Sequence, residues 1–402
     1  MAEQTRSRYI LTLGILLALA FLLGYDIQMV SATAPRLIQI LQINSKQLGT
    51  VFSASNFGLF FGSLLGGRLG DRFGYRNMLL AATIVFGVGT LLTAGVTAFV
   101  PMVMVRAICG LGFGCALPNL LSTSTLISSS QARFSVTATV FWAIPFGGLA
   151  VAGTAYAFPA SASIVWIYLL GGVLTLGCVP IGLLVLPDGH APINKLASRG
   201  GGIINTLFSD GRLVTTLLIW LAFISSYVSS YIMSNWFTIF ATHRGIAREH
   251  APLVLVGYSV SGIFGTLIIG RLADRFGPRW PIAIAWIVAS LAMLSLAVDE
   301  SPNVIFPVAA IVGFMSSGAC ISLYALTTFY YPASARGLGA GAGIGSARIG
   351  AIVGPLYAGF LLDAGYSVNQ VIVLPAGAAI VACIAIIALS FRPSIDAEPA
   401  PI

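Results

Sequence analysis

The stretch FGLFFGSLLGGRLGDRFGYRN, residues 57–77, recurs as VSGIFGTLIIGRLADRFGPRW at residues 260–280, with 11 of 21 positions identical at an offset of 203. Each copy begins as an apolar helix and closes on a short, charged, glycine-containing turn, the composition of a membrane helix arriving at one face of the bilayer. The same offset carries Arg133 onto Arg336. The register therefore holds across much of each half, and two six-helix bundles of like orientation follow.

The rest of the chain agrees with that frame. Of 402 residues, 57% are hydrophobic and 8% charged, and the mean hydropathy is +0.96, far outside the range of soluble globular chains. A spanning helix needs about 20 apolar residues. Twelve such runs occur, at about 9–33, 47–69, 78–98, 101–124, 134–156, 163–186, 212–240, 252–273, 279–298, 303–328, 338–362 and 368–391. The fold class read from the sequence is thus an all-α membrane protein of twelve transmembrane helices. Its domains are a bundle over residues 1–187, a polar linker over 188–211 and a second bundle over 212–402. The first run is too long for a signal-peptide core and ends on no cleavage site, so it is read as a retained span.

Sidedness follows the basic residues. With the N-terminus inside, fourteen Lys and Arg fall on the cytoplasmic side, four (Arg36, Lys46, Arg244, Arg248) face outward, and Arg106 and Arg348 fall within spans. Both termini are then cytoplasmic. The net charge of +8 is a topology signal that calls for no nucleic-acid partner. The five cysteines all lie in predicted spans, against a disulfide framework. The three histidines lie in loops; His243, Glu249 and His250 could approach a metal, but solvated loop side chains are the commoner case, and no metal or cofactor is assigned. No P-loop, HExxH or nucleophile elbow is present, so an enzyme is not expected.

The residues Gly67, Leu69, Asp71, Arg72, Gly74 and Arg76, with their copies Gly270, Leu272, Asp274, Arg275, Gly277 and Arg279, resemble the loop 2–3 and loop 8–9 signature of the major facilitator superfamily. The stretches RAICGLGFGCALPN (106–119), YIMSNWF (231–237) and YPASARGLGAGAGIGSARIGAIVGP (331–355) resemble its aromatic acid:proton symporter branch. The resemblance implies a proton-coupled importer of a small, hydroxybenzoate-like carboxylate in a bacterial inner membrane, read as a monomer. The signature would act in gating: carboxylates and guanidinium groups at helix ends can pair with each other and with helix dipoles in one access state and release in another. The alternative is that they set only topology and loop shape. Two departures from the branch stand out. Its members usually carry two acids in span 1 where this chain has Leu23 and Asp26, and a Glu common near the end of span 4 is here Thr125. One proton moving with one monoanion would be electroneutral.

Three charges remain inside predicted spans: Asp26, Arg106 and Arg348. A charge near mid-bilayer costs about 3 kcal/mol on insertion scales, and such groups usually face a cavity or a partner. Asp26 lies eight residues before Ala34, roughly 12 Å from the outer end of its span, and Arg106 five past Pro101, roughly 8 Å from the same face. An Asp26–Arg106 pair is expected, similar to the carboxylate–arginine pair of sugar:proton symporters; otherwise Arg106 braces backbone alone. Burial favours the neutral acid and the guanidinium favours the carboxylate, so Asp26 can take up and release a proton. Arg348 lies twelve residues beyond Arg336, near the midplane, where its planar fork suits a carboxylate. Under the offset Asp26, Arg106 and Arg348 correspond to Ser229, Ala309 and Pro145. The scaffold repeats and these charges do not.

Tyr25, Trp142, Tyr227, Tyr231, Trp236, Tyr324 and Phe329 could supply flat surface for an aromatic substrate. Tyr231, Asn235 and Trp236 match the family's YxxxxW region, and Asn119 and Gln28 could orient a ring hydroxyl. Each of these is individually as compatible with packing. Two other functions compete. A proton-coupled exporter shares the fold, although WAIPFGG (142–148) lacks the Gly-Pro motif of the superfamily's antiporters, and a membrane sensor would need a signalling domain.

Overall fold

A computed structural model describes residues 2–128, 133–158, 163–188, 207–208, 212–331 and 336–392. The expected linker at 188–211 lies almost wholly outside the described residues. Among the described residues there are twelve long helices. In the first half these are α1 (Ala2–Leu41), α2 (Ser45–Phe73), α3 (Tyr75–Ala94), α4 (Phe99–Leu126), α5 (Arg133–Ala157) and α6 (Val165–Val185). In the second they are α7 (Leu213–His243), α8 (Pro252–Phe276), α9 (Arg279–Val298), α10 (Ile305–Thr328), α11 (Arg336–Asp363) and α12 (Val368–Leu389). Each offers 20 to 34 residues long and apolar enough to cross a bilayer. The chain clusters into two compact units, residues 1–194 with 247–253, and 195–246 with 254–402.

Local chemistry starts and stops these helices. Asn44 accepts from the Gln47 amide at 2.9 Å while the Gln47 side chain accepts from the Asn44 amide at 3.0 Å, a reciprocal cap that opens α2. Ser367 and Gln370 do the same for α12. Gly74 closes α2 at φ +88°, and its repeat mate Gly277 sits at φ +78°. Only glycine takes up such a backbone without strain, which is why the signature carries glycine at both places. The one large departure from the expected spans is α1, which runs through Pro35 to Leu41.

Within each unit the helices meet along glycine seams. A Cβ on Gly62 of α2 would stand 2.3 Å from the Leu111 carbonyl oxygen of α4, and one on Gly110 of α4 would stand 2.1 Å from the Ser55 carbonyl oxygen of α2. The offset of 203 carries these pairs onto Gly265–Phe314 and Gly313–Tyr258, where the corresponding separations are 1.9 and 2.2 Å. It carries Gly147–Phe21, between α5 and α1, onto Gly350–Ile224, between α11 and α7. In lipid there is little hydrophobic drive between helices, so close backbone approach at small residues supplies the packing. Large side chains such as Leu92, Met104, Leu184 and Leu291 point outward instead.

A test of the seams follows. Gly62→Val and Gly265→Val should each destabilise the purified protein by about 1–3 kcal/mol through overpacking. Gly14→Val, where nothing lies within 4 Å, should stay within about 0.5 kcal/mol, as surface substitutions do. Thermal unfolding in detergent reads the difference.

Candidate functional site

In the first unit Asp26 and Arg106 meet in a fully enclosed pocket, 1% and 0% exposed. Arg106 Nη1 donates to Asp26 Oδ1 at 2.8 Å, Nη2 to the Asp26 backbone carbonyl at 3.3 Å, and Nε to Ser55 Oγ at 3.1 Å. The hydroxyl of Thr90 on α3 donates to Asp26 Oδ2. The guanidinium also lies 6.0 Å from the centre of the Phe113 ring. The seam builds this pocket: Gly110, one turn beyond Arg106, lets α2 approach at Ser55, whose hydroxyl then reaches the guanidinium. Charge-assisted bonds of this kind are the strong ones, and losing one member strands the other in an apolar interior.

The pairing agrees with the expectation, but the depth ruler behind it does not. With α1 ending at Leu41 and α4 beginning at Phe99, Asp26 lies fifteen residues from its helix end and Arg106 seven from its own. The two side chains come level because α1 continues beyond the start of α4. Arg36, expected to face outward, lies on that extension and donates to the Phe158 carbonyl at 3.0 Å.

The second unit holds a different arrangement. Arg348 of α11, half-buried, lies beside the phenols of Tyr231, Tyr227 and Tyr324. The hydroxyls of Tyr227 and Tyr324 are 2.5 Å apart. The rings of Tyr227 and Tyr231 stack at 5.7 Å and 19°, and Phe223 packs against Tyr324 at 5.6 Å. Cys320, one turn before Tyr324, lies 3.3 Å from Ser230 Oγ. Among the described residues the ion pairs are Asp26–Arg106 and Arg76–Asp188, so no carboxylate there neutralises Arg348. In the first half the position equivalent to Tyr227 is Gly24, packed on the Ile144 backbone next to Pro145. The second half replaces that close contact with a phenol and a guanidinium.

Several candidates are placed otherwise than expected. Trp236 is 0% exposed, and its indole donates to the Pro355 carbonyl at 3.3 Å. Pro355 lies inside α11, so Trp236 braces that proline-containing helix and offers no ring face. Asn119 is sealed in the α2–α4 seam, its amide donating to Gly66 O at 3.0 Å and Cys115 O at 2.7 Å. Both amide hydrogens are spent on backbone, while its Oδ1 is buried without a hydrogen-bond partner. Asn235 is buried and donates to the Tyr231 carbonyl at 2.8 Å. Tyr25 is buried, with its hydroxyl 3.1 Å from Thr154. Gln28 is half-buried against Gly148. Trp142 is 39% exposed in a shallow α1–α5 groove of about 470 Å³ with Phe21 and Phe146. Tyr231 and Tyr324 lie beside Arg348.

At the signature loops, Asp71 accepts from the Tyr75 hydroxyl at 2.8 Å, and Arg76 bonds both Asp188 and the Leu183 carbonyl. Arg76 thus ties the start of α3 to the end of α6. In the second copy Arg279 lies 5.2 Å over the Tyr330 ring. Burial pushes the Tyr330 phenol up, and Arg279 opposes the shift. No residue pattern announced Thr90 and Ser55. A helical Ser or Thr ordinarily bonds its own preceding turn, as Thr90 also does to Phe86 O at 2.8 Å.

The family model for the Major Facilitator Superfamily matches residues 16–247 and 218–401. Among curated relatives, the 3-(3-hydroxy-phenyl)propionate transporter of Escherichia coli K12 is 28% identical over 98% of this chain and 96% of its own. The gallate transporter of Pseudomonas putida is 27% identical over 93% and 91%. The 4-hydroxybenzoate transporter PcaK of Pseudomonas aeruginosa is 26% identical over 90% and 88%. Among solved structures, a D-xylose-proton symporter superposes with a TM-score of 0.80 at 18% identity, covering 94% of this chain and 97% of that one. At that identity the likeness speaks to the fold alone.

Proposed function

Because the chain belongs to the major facilitator superfamily, a family of transporters, we propose that it is a proton-coupled symporter that imports a hydroxylated aromatic carboxylate. It does so by alternating access across a bacterial cytoplasmic membrane, as a monomer with both termini inside. The observation that carries the substrate class is Arg348: a membrane-embedded cation with three phenols around it and no acidic partner among the described residues. A carboxylate would complete its fork, and an aromatic ring would find Tyr227, Tyr231 and Tyr324 beside it. The relatives named for hydroxyphenylpropionate, gallate and 4-hydroxybenzoate point to the same class.

Asp26 would carry the proton. Held as a carboxylate it satisfies Arg106; protonated it releases the charge and leaves the guanidinium its bonds to Ser55 and to the Asp26 backbone. That difference in contacts is what a two-state carrier needs to couple ion and substrate. In the same scheme the signature loops, including Gly67, Asp71, Arg72, Gly270, Asp274 and Arg275, act as the gate.

The test is uptake of labelled 4-hydroxybenzoate and 3-(3-hydroxyphenyl)propionate by proteoliposomes with the outside acidified and the voltage clamped. Symport gives accumulation that collapses with a protonophore. An exporter accumulates only under the reversed gradient. Independent support for the site comes from a variant whose sole cysteine is Cys320. Maleimide labelling should slow about tenfold at a substrate concentration ten times Kd, since occupancy leaves about a tenth of the sites open. Unchanged labelling would remove the second-unit cluster from the binding site.

A further inference from the structure

The hydroxyl of Thr90 has one proton and two acceptors within reach, Asp26 Oδ2 and the Phe86 carbonyl at 2.8 Å. We infer that Thr90 is a positioning residue that reports the protonation state of Asp26 by turning its hydroxyl. With Asp26 ionised, Thr90 donates to Oδ2. With Asp26 neutral, the acid donates its new proton to Thr90 Oγ, whose own hydrogen swings to Phe86 O. No donor is left without an acceptor in either state, a condition that matters here because an orphaned polar group in a sealed pocket is costly. The inference rests on the proposed role of Asp26 and adds the partner that lets a fully enclosed acid exist in two charge states.

The rest of the pocket cannot do this. The titratable and charged groups that face Asp26 are Arg106 and Cys109 from α4, Tyr168 from α6 and Tyr25 from α1 itself. Arg106 donates but never accepts. The Tyr25 and Tyr168 hydroxyls are engaged with Thr154 at 3.1 Å and Thr33 at 2.8 Å. Cys109 lies beside Thr90 and its thiol reaches Phe86 O at 3.9 Å, but a thiol is a weak donor and a weak acceptor and does not replace a hydroxyl there. On α2, Ser55 accepts from Arg106.

The repeat supplies an internal comparison. The offset of 203 carries Thr90 onto Met293, Asp26 onto Ser229 and Arg106 onto Ala309. In the second unit Ser229 Oγ lies 3.8 Å from Met293 Sδ. The corresponding helices α7 and α9 therefore meet with a thioether in place of the Thr90 hydroxyl where no acid is present. Thr90 is not something the scaffold requires.

Infrared difference spectroscopy of the full chain in proteoliposomes, titrated across pH, tests the inference. The carboxylic C=O band that disappears in Asp26→Asn identifies the residue. In Thr90→Val, which keeps the shape and deletes the hydroxyl, the midpoint of that band should move about one unit to higher pH. The anion loses the stronger of the two hydrogen bonds, and about 1.4 kcal/mol corresponds to one unit. The band should also rise in frequency, since the neutral acid has lost its acceptor. Thr90→Ser should restore both values, and Thr90→Ala serves as a second hydroxyl-free variant. An unchanged midpoint and frequency in the Val and Ala variants overturns the inference. So does a wild-type protein in which no Asp26 band appears at any pH. If the band shifts as described while gradient-driven uptake survives Asp26→Asn, the role of Thr90 stands and the coupling role of Asp26 falls.

Discussion

Asp26→Asn is expected to leave the protein able to exchange substrate across the membrane and unable to accumulate it. Each pH unit of gradient is worth about 1.4 kcal/mol to a carrier moving one proton, so two units sustain an accumulation of about 100-fold. In the variant the ratio should fall to about one. Asparagine has nearly the shape of the acid: its oxygen can accept from Arg106 Nη1 and its amide can donate to Thr90 Oγ. The pocket should therefore remain assembled while its ability to bind a proton is gone. Arg106→Ala has the opposite character. It leaves Asp26 buried without its cation, and breaking a buried pair in that way costs about 3–5 kcal/mol. Its expected signature is poor yield and a lowered melting temperature. Counterflow into preloaded vesicles, measured beside gradient-driven uptake, separates the two cases; persistent accumulation in Asp26→Asn would remove the acid from the coupling step.

The second large effect is at Arg348. Removing a desolvated charge that binds an oppositely charged group typically costs about 2–5 kcal/mol, roughly 30-fold to several-thousandfold in affinity. Arg348→Ala should weaken substrate binding by that order with little change in stability, because no carboxylate of the described residues depends on the guanidinium. Arg348→Lys keeps the charge and loses the planar fork, so it should fall between the two. Equilibrium binding of labelled 4-hydroxybenzoate to purified protein gives the comparison without reference to proton coupling. An Arg348→Ala protein that binds within about threefold of the parent, a difference of under 1 kcal/mol, would mean that the carboxylate is held elsewhere.

Much of this was legible in the sequence for a simple reason. In a chain that is only 8% charged, each charge inside an apolar run stands out, and Asp26, Arg106 and Arg348 were found that way. The twelve spans were visible as apolar runs, and the two halves as a repeated loop. What escaped were features set by neighbours rather than by composition. Pro35 and Arg36 look like the end of a span, yet α1 continues to Leu41, and Arg36 on that extension donates to the Phe158 carbonyl. Trp236 and Asn119 lie in motif-like stretches, but a motif fixes where a residue falls in the chain and not which way it faces. Both turn into helix seams and bond backbone. Thr90 and Ser55 resemble any other hydroxyls in a membrane helix until the pair they serve is seen in three dimensions.

The glycine seams carry a consequence for how such a chain can drift. Contact there is between a bare Cα and a carbonyl on the next helix, so it asks nothing of the side chains that look outward into lipid. A saturation scan of all positions should therefore return a broad plain of tolerated changes broken by a few narrow intolerant sites. Those sites should come in twins 203 residues apart, a spacing that would recover the doubled architecture from fitness data alone.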